Sequence, residues 1–294
     1  MRNHDPGRAG SARGTRSTRV QDVLDEWGHD AKARLCRARG TIQHSLAAIR
    51  ELARSAGTDD LAEITPEDAL VWLTIQPSVK TAHNKRTSAR AVYRWLMLHR
   101  RIRTNPLAHI DLPRAPVGRG ADPLSLDEAR RVISAARRTA NDRRCTGLAR
   151  ARFYLFLWGT ALRHEEAKVQ EWTDIRWRDS SLRVTHDKAR RGDIIPVPAW
   201  LLREMETWPR EGPRIFAKVP SHHSLQRDFQ RACVQGRGNW HRFRKGTITT
   251  YAQGGVPLHL LAKLSRHRNI SVLVNSYITA EWSQLTDAQR LTAI

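Results

Sequence analysis

The chain has 294 residues, with 51 Lys and Arg against 29 Asp and Glu, a formal net charge of +22. That length supports one large domain or two ordinary ones, and so basic a chain points to a polyanionic partner, nucleic acid first and a membrane surface a distant second. Cys36, Cys145 and Cys233 form no CxxC pair and no apolar run approaches the roughly 20 residues of a bilayer span, so a disulfide framework, a cysteine zinc site and a membrane protein are excluded, and a cytoplasmic location is expected.

Residues 1–19 lack the apolar stretch of a secretory signal, and their Gly, Ser and Arg content reads as a disordered basic tail. From about Val20 to His109 the pattern is helical. Thr41 to Ala56 sets Ile42, Leu46, Ile49 and Leu52 on one stripe, and Gly57 is the stop signal. Thr65-Pro66-Glu67-Asp68 combines a capping hydroxyl, a first-turn proline and acids near the positive end of the helix dipole; the helix it opens carries Leu70, Val71, Leu73 and Ile75. A longer amphipathic helix runs from about Lys80 to Arg100, with Ala91, Trp95 and Leu98 on its apolar side. The other side, Lys85, Arg86, Arg90, Arg94 and Arg100, together with Lys80, is either a solvated face or a surface turned to DNA phosphates.

Asn105-Pro106 closes this block, and Pro, Gly and Arg crowd the segment that follows, which reads as an interdomain linker over 111–123. The expected division is a helical DNA-binding domain over 20–110 and a second domain over 124–294. Ser125-Leu126-Asp127-Glu128 is a capping box for a helix through Val132 and Ile133, and Arg152 to Trp158 is an apolar, buried helix. Ser181 to Pro198 holds two β-branched runs around a polar basic segment with Gly192, the pattern of a β-hairpin. Helical signals resume at Trp200. The fold class is mainly α with a small antiparallel β-sheet.

One set of polar residues in the second half points to a reaction: Arg163, Lys188, His241, Arg244, His267 and Tyr277. Two arginines can clamp one phosphate, a lysine and two histidines can share protons, and a tyrosine can attack phosphorus. Singly, each has a plain structural explanation. Arg163 and Glu166, three apart, make an ordinary helical ion pair. Lys188 is one more cation in a basic hairpin loop. His241 and Arg244 share a helical face, His267 ends a helix, and Tyr277 follows Leu273 and Val274 as a half-buried ring.

Taken together and in order, these residues resemble the tyrosine site-specific recombinases of the phage-integrase and Xer-like class. TAHNKRTSARAVYRWLMLHRRIRTNP is similar to the last helices of a core-binding domain, GTALRHEEAKVQEWTDIRW to the segment of the first arginine, and DKARRGDIIPVP to the lysine hairpin. HRFR matches the His-x-x-Arg box, and LAKLSRHRNISVLVNSYI the closing His-and-Tyr segment. The resemblance implies that Arg163 and Arg244 grip the scissile phosphate and that Lys188 is the general acid for the 5′-hydroxyl. It implies that His241 assists proton transfer, His267 bonds the phosphate, Tyr277 is the nucleophile and Glu166 supports Arg163 from behind. It further implies cutting and rejoining of double-stranded DNA through a 3′-phosphotyrosyl link with no metal, ATP or other cofactor, by a homo-tetramer on synapsed sites, with any partner recombinase or directionality factor left open. Trp282 and Leu285, in the amphipathic tail, would anchor a neighbouring subunit. The chain departs from the family pattern at Lys245, where a histidine is common, at Ala161, where a glycine is common, and in Tyr277, which lies one residue further from His267 than usual. A type IB topoisomerase and an inactive, recombinase-like DNA-binding protein are the alternative readings.

Overall fold

The computed structural model describes residues 17–115, 122–139, 145–184 and 192–266. The chain divides into two compact units, residues 1–118 and 119–294.

The first unit is built from α1 (Val20–Ala33), α2 (Arg39–Ala56), α3 (Pro66–Thr74) and α4 (Val79–Leu98). In α2, Ser45, Ala48, Ile49, Leu52 and Ala53 are buried, a helical-period stripe that packs against α1, α3 and α4. Gly57, at φ 71°, ends the helix in the left-handed conformation, and the Thr58 N–H returns to Ala53 O at 3.2 Å. A capping box starts α3: Thr65 Oγ1 accepts from Asp68 N at 3.1 Å, and Asp68 Oδ2 accepts from Thr65 N at 3.0 Å. That reciprocity holds the Asp68 carboxyl below the usual carboxylate range, through the bonds from the Thr65 backbone and then its hydroxyl.

Two apolar stripes differ from expectation. In α3 the core takes Ala69, Trp72 and Leu73 and leaves Leu70, Val71 and Ile75 exposed; the large Trp72 ring turns its own face inward and carries its neighbours' faces outward. In α4 the stripe is Ala82, Ala89, Val92, Tyr93, Trp95 and Leu96, whereas Leu98 is 79% exposed on the last turn. Trp27, Trp72 and Tyr93 fill the centre; Tyr93 donates to Leu61 O at 3.1 Å, and Trp95 Nε1 to Asp30 Oδ2 at 2.8 Å.

The second unit holds α5 (Leu126–Arg137), α6 (Gly147–Thr160), α7 (His164–Ala167), a 3₁₀ turn (Trp172–Asp174), β1 (Ile175–Arg176), β2 (Ser181–Val184), β3 (Asp193–Pro196), α8 (Ala199–Glu206), α9 (His222–Arg231), α10 (Trp240–Gln253) and α11 (Leu258–Ser265). Helix α6 is its axis. Ala151, Phe153, Tyr154, Phe156 and Leu157 are all fully buried, and α6 packs on α5, α8 and α10. One polar network crosses this core: Arg150 Nε donates to Asp228 Oδ2 at 2.8 Å and Arg150 Nη2 to Asp228 Oδ1 at 3.2 Å, while Tyr154 donates to the same carboxylate at 2.8 Å. Each group satisfies another, as burial of a charge demands.

The strands form a sheet of order β1-β2-β3, antiparallel throughout, with Ile175 opposite Leu182 and Leu182 opposite Ile195. The pairing of β2 with β3 is the hairpin the sequence predicts. Two-residue β1 was not anticipated, because so short a strand has no periodicity to read. The β2–β3 connection, 185–191 with Lys188, lies outside the described residues.

Candidate phosphate-binding site

The site forms where α6, α10 and α11 end or begin around α7. Helix α6 finishes at Ala161, in the left-handed conformation at φ 51° and ψ 25°, so the chain reverses and delivers Arg163 to the N-cap of α7. Arg163 is thus just ahead of its helix rather than inside it, and its ion pair with Glu166 is also a cap. Glu166 Oε2 accepts the Arg163 backbone N–H at 2.8 Å, and Oε1 accepts from Nη1 at 2.8 Å. Glu166 is buried and the Arg163 side chain about one-third exposed, so the carboxylate anchors one edge of the guanidinium and leaves the other open.

At the start of α10, the Asn239 side chain caps the helix by accepting from His241 N at 2.9 Å. His241 and Arg244 follow three residues apart. His241 reaches the surface; Arg244 is fully buried. Arg244 Nη1 donates to Ala161 O at 2.6 Å, at the end of α6, and Nη2 donates to Ser265 O, at the end of α11. Two helix C-termini, each with partial negative charge, thereby converge on one guanidinium. Two residues on, Gly246 lets α10 approach: a Cβ there would stand 2.4 Å from Leu124 O and 2.6 Å from Trp158 Cζ3.

Electrostatics tie these residues together. Crowding by surrounding protein, then the positive charges of Arg244, Arg163 and Lys245, push the His241 imidazole down to about 4. Water at its exposed edge moderates the shift without changing its direction. His241 is therefore neutral at pH 7, a proton acceptor beside two permanent cations. Burial alone would raise the Glu166 carboxyl, but the Arg266 charge and the bonds from Arg163 outweigh it and hold the group below the usual range.

Of the residues singled out from sequence, the structure brings together Arg163, Glu166, His241 and Arg244. Lys188, His267 and Tyr277 lie outside the described residues, as do Trp282 and Leu285. The other tyrosines are committed elsewhere: burial raises Tyr93, Tyr154 and Tyr251, the first two are hydrogen-bonded in the two cores, and Tyr251 packs where α10 meets α11. Sequence reasoning missed Arg266, whose side chain is buried against Glu166. Its one sequence signal is adjacency to His267. Of the first unit's basic residues, Lys80 and Arg94 are exposed, while Arg90 is half-buried. Lys85 is paired with Glu51, and Arg86 donates to Ile110 O. Those last two were expected on an outward face; the structure gives them internal partners.

Comparison with known proteins places the geometry. The tyrosine recombinase XerC of Xanthomonas campestris pv. campestris is 27% identical over 173 residues, 58% of this chain and 52% of the relative, so the chain spans about half the length of the curated relatives it matches. The fold is that of a lambda integrase (75-356) dimer bound to a COC' core site, at TM-score 0.71 and 17% identity over 89% of this chain and 97% of that one. It is also that of the Tn1549 transposon integrase in complex with a circular intermediate DNA, at TM-score 0.66 and 16% identity over 93% of this chain and 99% of that one. The model of the phage integrase family matches residues 123–283, which span every element of the site just described. The chain therefore belongs to the phage integrase family.

Proposed function

We propose that this chain is a site-specific DNA recombinase that breaks and rejoins duplex DNA by transesterification. The observation that carries the reading is the clustering of Arg163, held by buried Glu166, with His241 and Arg244, inside the stretch the family model matches. A phosphodiester between the two arginines would meet charge aimed at its non-bridging oxygens, which is most of what phosphoryl transfer asks of a protein. Its arrival would also raise the His241 pKa by adding a negative neighbour.

In the reaction, Tyr277 Oη attacks phosphorus and the P–O5′ bond breaks, leaving a 3′-phosphotyrosyl ester and a 5′-hydroxyl. The tyrosine proton passes towards His241, Lys188 protonates the leaving O5′, and His267 holds a phosphate oxygen. Rejoining is the reverse, and the ester conserves the energy of the broken bond. The withdrawal of Tyr93, Tyr154 and Tyr251 into packed surroundings supports Tyr277 as the nucleophile. The partners are double-stranded DNA, through the basic residues of both units, and further copies of the chain in a tetramer on paired sites. Lambda integrase forms such a tetramer on a Holliday junction. The place of action is the cytoplasm, where Cys36, Cys145 and Cys233, none of them in a disulfide, stay reduced.

The test is covalent capture. The full chain is incubated with nicked duplexes of randomised core sequence, the products are denatured, and protein-linked strands are sequenced. Adducts that converge on one sequence and vanish in Tyr277→Phe are the expected result. Adducts absent across the library would replace this reading with that of an inactive DNA-binding protein. Relaxation of any supercoiled plasmid, without sequence preference, would replace it with a topoisomerase.

A further inference from the structure

The end of α11 contacts Arg244 directly and reaches Arg163 only through Glu166. The Ser265 carbonyl accepts from Arg244 Nη2, and the adjacent Arg266 donates through Nη2 to Glu166 Oε2, the carboxylate that also holds Arg163. We propose that Arg266 is a positioning residue, which anchors Glu166 at Oε2 from the end of α11 and so sets where Arg163 presents its open edge. This rests on the recombinase reading for the consequence, but not for the geometry.

Three observations support it. Arg266 caps α11 in the left-handed conformation, at φ 52° and ψ 38°, where glycine is the residue without strain. A long cationic side chain stands at this position and is nevertheless only 3% exposed, matching the 3% of Glu166. Arg163 holds the carboxylate through its own backbone N–H and one guanidinium nitrogen, both from the same residue; the Arg266 bond to Oε2 adds an anchor from a different element. Finally, Arg266 Nε lies 4.0 Å from Asp193 Oδ2, at the start of β3, which gives the guanidinium a second acidic neighbour and ties the α11 end to the sheet as well as to α7.

Among the described residues, the charged groups bonded or close to this pair are Arg163 before α7 and Asp193 on β3, with Arg244 on α10 against the neighbouring Ser265 carbonyl. Removing Arg266 therefore leaves Glu166 with one partner in a buried place. Its carboxyl should then titrate at higher pH, since burial opposes the ionised form and the largest opposing charge is gone. Arg266→Gly also relieves the left-handed backbone, so loss of the fold is not the expected outcome; Arg266→Lys is the companion variant, keeping the charge and losing the fork.

Two measurements separate this proposal from the recombinase reading. The first is carboxyl NMR of the full chain, with Glu166 assigned through Glu166→Gln and the Arg163 Nε–H signal through Arg163→Lys. In Arg266→Gly the Glu166 titration should move up and the Arg163 signal should broaden; in Arg266→Lys the titration should return most of the way. The second is single-turnover adduct formation on the site recovered by covalent capture. There Arg266→Gly should lose at least tenfold in rate with DNA affinity changed less than twofold, and the lost rate should fall further on the acid side of neutrality. An unmoved Glu166 titration and unchanged Arg163 signal overturn the proposal, whatever the enzyme does. Moved signals in a chain that forms no adduct leave the positioning role standing and overturn the recombinase reading. Equal losses of rate and affinity, with no recovery in Arg266→Lys, identify a merely structural residue and also overturn the proposal.

Discussion

His241 ties the chemistry to a pH dependence whose sign can be worked out. The ordinary histidine value is 6.5 and the folded value is about 4, so the unfolded chain binds the proton first. Stability associated with this group is complete above about 6.5 and is lost as pH falls toward 4. His241→Asn should therefore flatten the decline of denaturant midpoint between those values; an unchanged slope would show that folding does not lower the pKa of this ring. At Asp228 the stake is larger, because a fully buried carboxylate holds both the Arg150 guanidinium and the Tyr154 hydroxyl. Asp228→Ala strands a cation in the core and should cost about 3–5 kcal/mol in denaturant unfolding. Paired removal, Arg150→Met with Asp228→Leu, should cost much less.

Among elements, α10 packs closely at Gly246. Its Gly246 lies against the Leu124 carbonyl and the Trp158 ring, so Gly246→Ala forces the helix off α6 and should destabilise by about 1–3 kcal/mol, read as a lower midpoint of thermal unfolding. Since Arg244 is two residues away, the same variant should weaken adduct formation more than Tm alone explains. Helix boundaries were the legible part of the fold. Thr65, Ser125 and Gly57 act through bonds spanning a few residues, and each caps its helix where the local sequence says it must. Faces were less legible. Leu70, Val71 and Leu98 are as apolar as the residues that won the core, and only the partners of α3 and α4 decide between them. In the site, Arg163 with Glu166 and His241 with Arg244 could be paired from spacing because each pair lies within one turn. Arg266 with Glu166, 100 residues apart, could not.

Over the whole molecule, a net charge of +22 does not mean that every cation waits for DNA. Arg101 is folded inward, stacked 4.7 Å over Trp95 and paired with Glu26, and Arg150, Arg242 and Arg266 are likewise engaged within the protein. This divides the first unit's basic residues into two kinds. Replacing exposed Lys80 and Arg94 with alanine should reduce the slope of log affinity against log salt by up to about 2 for duplex DNA and leave Tm in place. Replacing Lys85 and Arg86 should do the reverse, lowering Tm with little change in slope. Identical salt slopes for the two pairs would refute the division.

Arg244 joins Ala161, 83 residues before it, to Ser265, 21 residues after it. A growing chain meets these two partners at different times. While α10 emerges from the ribosome, the end of α6 is already present and the end of α11 has yet to be made. Until Ser265 is translated and docked, the guanidinium that would hold a phosphate has only one of its two helix ends, and Glu166 still waits for Arg266. The site is therefore assembled late: a chain stopped before residue 265 would lack both the second anchor of Arg244 and the Arg266 contact to Glu166, however complete its first unit.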